Sequence, residues 1–228
     1  MLTKRGFLLS LSLGVLITSS WMGWAQAANP SATTTSPSSP PSILVYGDSL
    51  SAAYGLARTQ GWATLLQDRL KSAGFPHLVS NRSLSGETTF GGRQRFLRVL
   101  EQTKPKLTIL ALGANDALRG LSLEQTQQNL AFMIQNALSR QSAVLLVGIQ
   151  LPPNYGPVHN QRLQAVFQRL SSDYPVGYVP FMLEGFATDE SYFQADRIHP
   201  NAKAQPKILN TLWPGIQQLI QPKGANHG

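Results

Sequence analysis

The chain has 228 residues and a formal net charge of +8, enough length for one domain with a sizeable core. A hydrophobic share of 42% with 13% charged residues excludes fibrous and wholly disordered classes. There is no cysteine, which excludes disulfides, thiolate metal sites and a cysteine nucleophile.

The first residues stand apart. Lys4 and Arg5 precede the apolar run "GFLLSLSLGVLITSSWMGW", and Ala25-Gln26-Ala27 satisfies a small-x-small cleavage rule. Residues 1–27 therefore read as a secretory signal peptide cut after Ala27, which implies a periplasmic or secreted protein. The competing reading is an uncleaved N-terminal anchor. A lipid-modified cysteine is excluded because none follows the apolar run. Loss of Lys4 and Arg5 with the leader would leave a charge of +6, which permits peripheral contact with anionic membrane or wall surfaces. The basic residues are scattered, and the densest group, "GGRQRFLR" at 91–98, reads as a solvated helix face. No aromatic-interleaved basic stripe is present, so a nucleic-acid partner is not expected.

Residues 28–42, "ANPSATTTSPSSPPS", have almost nothing to bury and read as a linker. A domain spans 43–222, with a short tail at 223–228. Five β-like runs follow the linker: "ILVYG" at 43–47, "HLVSN" at 77–81, "KLTILALG" at 106–113, "AVLLVGIQ" at 143–150 and "VGYVPF" at 176–181. The first, third and fourth are apolar on both faces, as strands covered from both sides are. Helical patterns lie between them. "GWATLLQDRLKSAG" ends at Gly74, a C-terminal stop. "FGGRQRFLRVLEQTK" is helical after its glycines. "SLEQTQQNLAFMIQNALSR" opens with Ser122 and Gln125 at capping-box spacing. "VHNQRLQAVFQRLSSD" carries Leu163, Val166, Phe167 and Leu170 at helical spacing. Near the end, a turn after Asn201, a helix from about Pro206 and a break near Pro214 are expected. Strand–helix alternation predicts a parallel sheet in a three-layer α/β/α domain.

In such sheets ligands sit beyond the carboxyl ends of the strands, and polar residues gather there. "GDSLS" follows the first strand, "NRSLSGET" the second and "LGANDALRG" the third, while "ADRIHPNA" comes past the fifth. A serine hydroxyl needs a base to become a nucleophile. His199 can be that base if Asp196, three residues earlier, holds its other ring nitrogen. Pro200 restricts His199 to extended backbone. The backbone N–H groups of Ser49 and Gly86 and the side-chain amide of Asn115 are suitable donors to an oxyanion. Each block alone has an ordinary explanation, since Asp and Ser commonly cap or turn the chain after a strand. Asp48 reads as a structural acceptor. His77 and His227 are poor competitors for His199, and His159 reads as surface packing or a substrate contact.

Taken together, Ser49 in "GDSLS", Gly86 in "SLSGET", Asn115 in "GAND" and His199 in "DRIHP" resemble the four blocks of the SGNH (GDSL) hydrolase superfamily over roughly 43–220. "LGANDALRG", "LPPNYG" and "IHPNAKAQP" further resemble its exported thioesterase I, lysophospholipase and protease I (arylesterase-like) group. The resemblance implies a flavodoxin-like five-stranded sheet of order 2-1-3-4-5, a Ser49–Asp196–His199 triad and an oxyanion hole of Ser49, Gly86 and Asn115. It implies no metal or other cofactor, and an acyl pocket bordered by "LPPNYG". That group commonly has glycine where this chain has Ala114. The expected activity is hydrolysis of acyl esters or thioesters, with lysophospholipids and aryl esters as substrates, by a monomer. A carbohydrate O-acetylesterase and a non-catalytic binding module are the alternatives.

Overall fold

The computed structural model describes residues 39–221. The leader at 1–27, most of the linker and the tail at 223–228 lie outside the described residues. Five strands form one parallel sheet: β1 (Ser42–Gly47), β2 (Leu78–Asn81), β3 (Leu107–Ala111), β4 (Ala143–Val147) and β5 (Gly177–Val179). Their spatial order is β2-β1-β3-β4-β5, as the resemblance implied. β1 begins at Ser42, one residue before the domain start read from the sequence, because Ser42 pairs with Leu78. The three central strands are buried on both faces. Edge strand β2 is partly exposed.

Helices cover both faces. α1 (Trp62–Ser72) packs against α6 (Gln205–Ile220) on one side. α2 (Thr89–Thr103), α4 (Leu123–Ser139) and α5 (Pro157–Asp173) form the layer on the other. Their boundaries follow local chemistry. Thr88 Oγ1 accepts from Gly91 N at the start of α2, and Ser122 Oγ accepts from Gln125 N at the start of α4. Pro157 occupies the first turn of α5, where its missing N–H costs nothing.

One expectation fails here. α6 does not break at Pro214 but runs through it to Ile220. Its apolar stripe continues on both sides of the proline, with Leu209, Leu212 and Ile216 buried, so burial outweighs the lost backbone hydrogen bond. "ANDAL", just past β3, forms a short helix, α3 (Ala114–Leu118). The strands also end earlier than their apolar runs. Leu112, Ile149 and Phe181 are buried beyond the last paired residue, because the chain leaves the ladder while still inside the core.

Candidate active site

β1 delivers Ser49 to the carboxyl edge of the sheet. Gly47 closes the strand where a side chain would not fit: a Cβ there would lie 2.7 Å from Ser51 Oγ and 2.9 Å from the Ala111 carbonyl. Asp48 follows, and its carboxylate accepts from Leu50 N at 3.0 Å. The turn that results leaves Ser49 lining a cleft of about 800 Å³. Leu118, Ile149, Leu151, Phe181 and Leu183 supply apolar walls, and Asn115 and His199 also face it.

His199 reaches Ser49 across 150 residues of chain. Its Nε2 lies 2.9 Å from Ser49 Oγ, and its Nδ1 lies 2.7 Å from Asp196 Oδ2. With the carboxylate accepting at Nδ1, the proton belongs on that nitrogen and Nε2 is left to accept from the serine. The other oxygen of Asp196 accepts the backbone N–H groups of Ile198 and His199, each at 3.0 Å. Partial burial raises the Asp196 carboxyl, but these donors and the imidazole outweigh it and hold it down to about 2. The turn requires Arg197 in the left-handed region, at φ 60°. Tyr54 lies against the imidazole with ring centroids 4.3 Å apart.

The loop under the histidine is tied from several directions. Gln194 N donates to the His199 carbonyl at 2.8 Å. Asn201 Nδ2 donates to the carbonyls of Ser191 and Phe193. Gln205, buried at the start of α6, accepts from Trp62 N at 3.0 Å and donates to the Pro200 carbonyl.

The opposite wall is built around α3. Asn115 Nδ2 donates to the Glu87 carbonyl at 3.1 Å and approaches Asp48 Oδ2 at 3.4 Å. The next residue, Asp116, is buried. Its carboxylate accepts from Thr89 N at 2.8 Å, from Thr89 Oγ1 at 2.5 Å and from Thr126 Oγ1 at 3.3 Å. Asn129 Nδ2 completes the set by donating to Thr89 Oγ1. α2, α3 and α4 are thus bolted together one residue from Asn115. Asp48 also belongs to this wall, and burial pushes its carboxyl up to about 6.

Ser49, Asp196, His199 and Asn115 are therefore brought together as the sequence suggested. Gly86 stands beside them on the β2–α2 loop, in the left-handed region at φ 77°. Its carbonyl accepts from Arg119 Nη2 at 2.9 Å, and it does not line the cleft itself. His159 packs, its Nε2 lying 3.2 Å from the Ala117 carbonyl. The sequence reading named no role for Asp116, Arg119, Tyr54, Gln194 or Gln205. Asp116 alone carried a signal, as an acid directly after the proposed donor; the others are tied to the site only through contacts distant in sequence. No group of three metal-ligating side chains occurs among the described residues.

Comparison with known proteins places the chain in a family. Residues 45–205 match the model of the GDSL-like Lipase/Acylhydrolase family. The chain is 46% identical to Esterase TesA of Pseudomonas aeruginosa over 178 residues, covering 78% of this chain and 89% of that protein. It is 35% identical to the Thioesterase 1/protease 1/lysophospholipase L1 of Escherichia coli K12, covering 78% and 84%. Among solved structures, the psychrotrophic esterase EstA from Pseudoalteromonas sp., inhibited by monoethylphosphonate, superposes with a TM-score of 0.74 at 36% identity, covering 78% of this chain and 97% of that one. The matched segment contains the serine at the end of β1, the α3 wall and the histidine loop, and so this chain belongs to the GDSL-like lipase/acylhydrolase family of ester-bond hydrolases.

Proposed function

We propose that the protein is an exported serine esterase that cleaves acyl esters or thioesters through an acyl-serine intermediate. The observation that carries this reading is the Ser49–His199–Asp196 relay, with its 2.9 Å and 2.7 Å links. His199 Nε2 takes the proton of Ser49 as Oγ attacks the substrate carbonyl. The negative charge that develops on the carbonyl oxygen is met by the N–H groups of Ser49 and Gly86 and by Asn115 Nδ2. Collapse breaks the bond to the leaving oxygen or sulfur, which receives the proton from His199. A water then attacks the acyl-serine, gives one proton to His199 and releases the acid as Ser49 regains its own.

The cleft supports an acyl chain as substrate. Its walls are mainly apolar, and about 800 Å³ is far more than an acetyl group would fill, which favours acyl esters over acetylated sugar. The curated relatives are named as an esterase and as a thioesterase and lysophospholipase, and the Pseudoalteromonas esterase is inhibited by a phosphonate, a group that mimics the tetrahedral intermediate. The leader read at residues 1–27 supports export to the periplasm or beyond. The test combines fluorophosphonate labelling with hydrolysis of p-nitrophenyl esters of graded chain length. Wild type should be labelled and should favour acyl chains longer than acetyl. Ser49→Ala should lose labelling and turnover while keeping its melting temperature. Labelling retained by Ser49→Ala would overturn the assignment.

A further inference from the structure

Among the described residues, eight large apolar side chains are exposed. Seven of them, all but Leu78, stand on segments that follow the carboxyl ends of strands. Five of these, Leu84, Phe90, Leu121, Tyr155 and Val158, gather around α3. Their placement follows from hydrogen bonds. Arg119 and Asn115 of the α3 segment hold the Gly86 and Glu87 carbonyls, which fixes the loop bearing Leu84 beside α3. Thr89 binds Asp116, which brings Phe90, the next residue, alongside. Leu121 N donates to the Asp116 carbonyl. His159 reaches the Ala117 carbonyl from the other flank, carrying Val158 and Tyr155 with it. The collar is continuous with the cleft, since Leu118, Gly156 and Pro157 line the opening.

Charge on this flank has one dominant sign. Arg82, Arg119 and Arg162 are exposed, and Glu124 is the exposed carboxylate among them. Glu87 is committed to Arg95. The far flank of the cleft is mixed in sign: Glu184 and Asp189 are exposed, Glu190 pairs with Arg197, and Lys203 and Lys207 are exposed beside them.

We infer that the α3 collar is a docking surface for an anionic phospholipid layer, which it meets with the mouth of the cleft at the lipid interface. Exposed apolar side chains ringed by arginines suit insertion at the headgroup–acyl boundary of an anionic leaflet. The charge-mixed far flank offers no comparable excess of arginine, so the collar is the face that an anionic surface favours. The inference concerns where the protein sits and does not depend on the acyl-serine chemistry.

The absence of cysteine allows single-cysteine variants of the full chain to carry an environment-sensitive NBD label. Binding alone would be ambiguous, because the full chain includes the apolar run near its N-terminus. The position of the label removes the ambiguity. Phe90→Cys and Leu121→Cys report on the collar. Ser172→Cys, exposed in the last turn of α5 and about 20 Å along that helix from its first turn, is the reference. Hydrolysis of p-nitrophenyl butyrate at the wild-type rate checks that each labelled protein is folded. With vesicles containing phosphatidylglycerol, labels at 90 and 121 should shift to the blue and brighten several-fold, while the label at 172 stays unchanged. Vesicles of phosphatidylcholine alone should give a much smaller shift at 90 and 121. Adding Arg82→Glu and Arg162→Glu should abolish most of the shift and leave butyrate turnover unchanged. No shift at 90 and 121, or an equal shift at 172, would overturn the docking surface. An equal shift in pure phosphatidylcholine would overturn its anionic character. A shift without lipid that grows with protein concentration would assign the collar to a second copy of this chain and overturn the inference.

Discussion

Asp196 and Asp48 are two carboxylates that flank the same serine, and their surroundings drive them in opposite directions. Asp196 sits in a surface loop with 39% of its side chain exposed. Desolvation raises its carboxyl, but two backbone N–H groups and the His199 imidazole outweigh this and hold it down to about 2. Asp48 lies beneath the cleft, 2% exposed, and burial lifts its carboxyl to about 6. The same division separates the two walls. The histidine wall is a loop open to solvent, tied by backbone carbonyls. The α3 wall is a closed lattice of Asp116, Thr89, Thr126 and Asn129. In the proposed mechanism His199 exchanges protons with substrate and water, and it stands in the wall open to solvent. Groups that must only hold a donor still are buried, where fully satisfied polar networks are rigid.

If the open wall carries the proton transfers, His199→Ala should produce the largest loss. A decrease in kcat of at least about 10⁴ is expected, with little change in melting temperature because the side chain belongs to a surface loop. Turnover and melting curves on one preparation test both halves. A large stability loss with modest loss of kcat would erase the distinction between the walls.

The next largest effect should come from the closed wall. Asn115→Ala removes a fixed donor that matters most when charge develops on the substrate oxygen. A loss of about 10²–10³ in kcat is expected, with KM changed far less. Steady-state kinetics with a p-nitrophenyl ester would show it. A rise in KM at constant kcat would make Asn115 a binding residue instead.

Asp48→Asn sharpens the contrast between the two acids through pH. The folded-state pKa of Asp48 is raised above its unfolded value, so its favourable contribution is complete below about 4 and is lost as pH rises through about 6. The substitution should therefore stabilise the protein at pH 8, by up to about 3 kcal/mol. That gain should shrink through pH 6 and vanish near pH 4. Thermal melts across this range check the sign. A difference independent of pH would show that Asp48 does not titrate in this window.

Gly86→Ala should have the smallest effect. A Cβ there meets only Arg119 Nη2, at 3.5 Å, which is ordinary contact. The penalty is the left-handed backbone alone, about 1–2 kcal/mol. For a domain of this size that corresponds to a fall in melting temperature of a few degrees. A collapse of stability would mean that the loop is packed more tightly than this geometry allows.

The amino-acid sequence by itself determined the fold class and the polar residues of the site. Apolar runs and helical periodicity are local properties, and strand–helix alternation leaves little besides a parallel sheet with helices on both faces. Ser49, Asn115, Asp196 and His199 were legible because each stands in a short polar block just past an apolar run, or, for His199, beside an acid and a proline. Their distances from one another were not legible, since 150 residues separate Ser49 from His199. Only tertiary structure decided that α6 continues through Pro214, because the packing that stabilises it comes from distant strands and helices. It also decided that "GANDAL" is helical, where Asp116 finds donors from α2 and α4. The same holds for the apolar collar around α3. Leu84 and Phe90, Leu121, and Val158 come from three separate segments of the chain, and nothing but the folded arrangement leaves them uncovered on one flank of the cleft. Local pattern is set by neighbours along the chain, whereas exposure and hydrogen-bond partnership are set by neighbours in space.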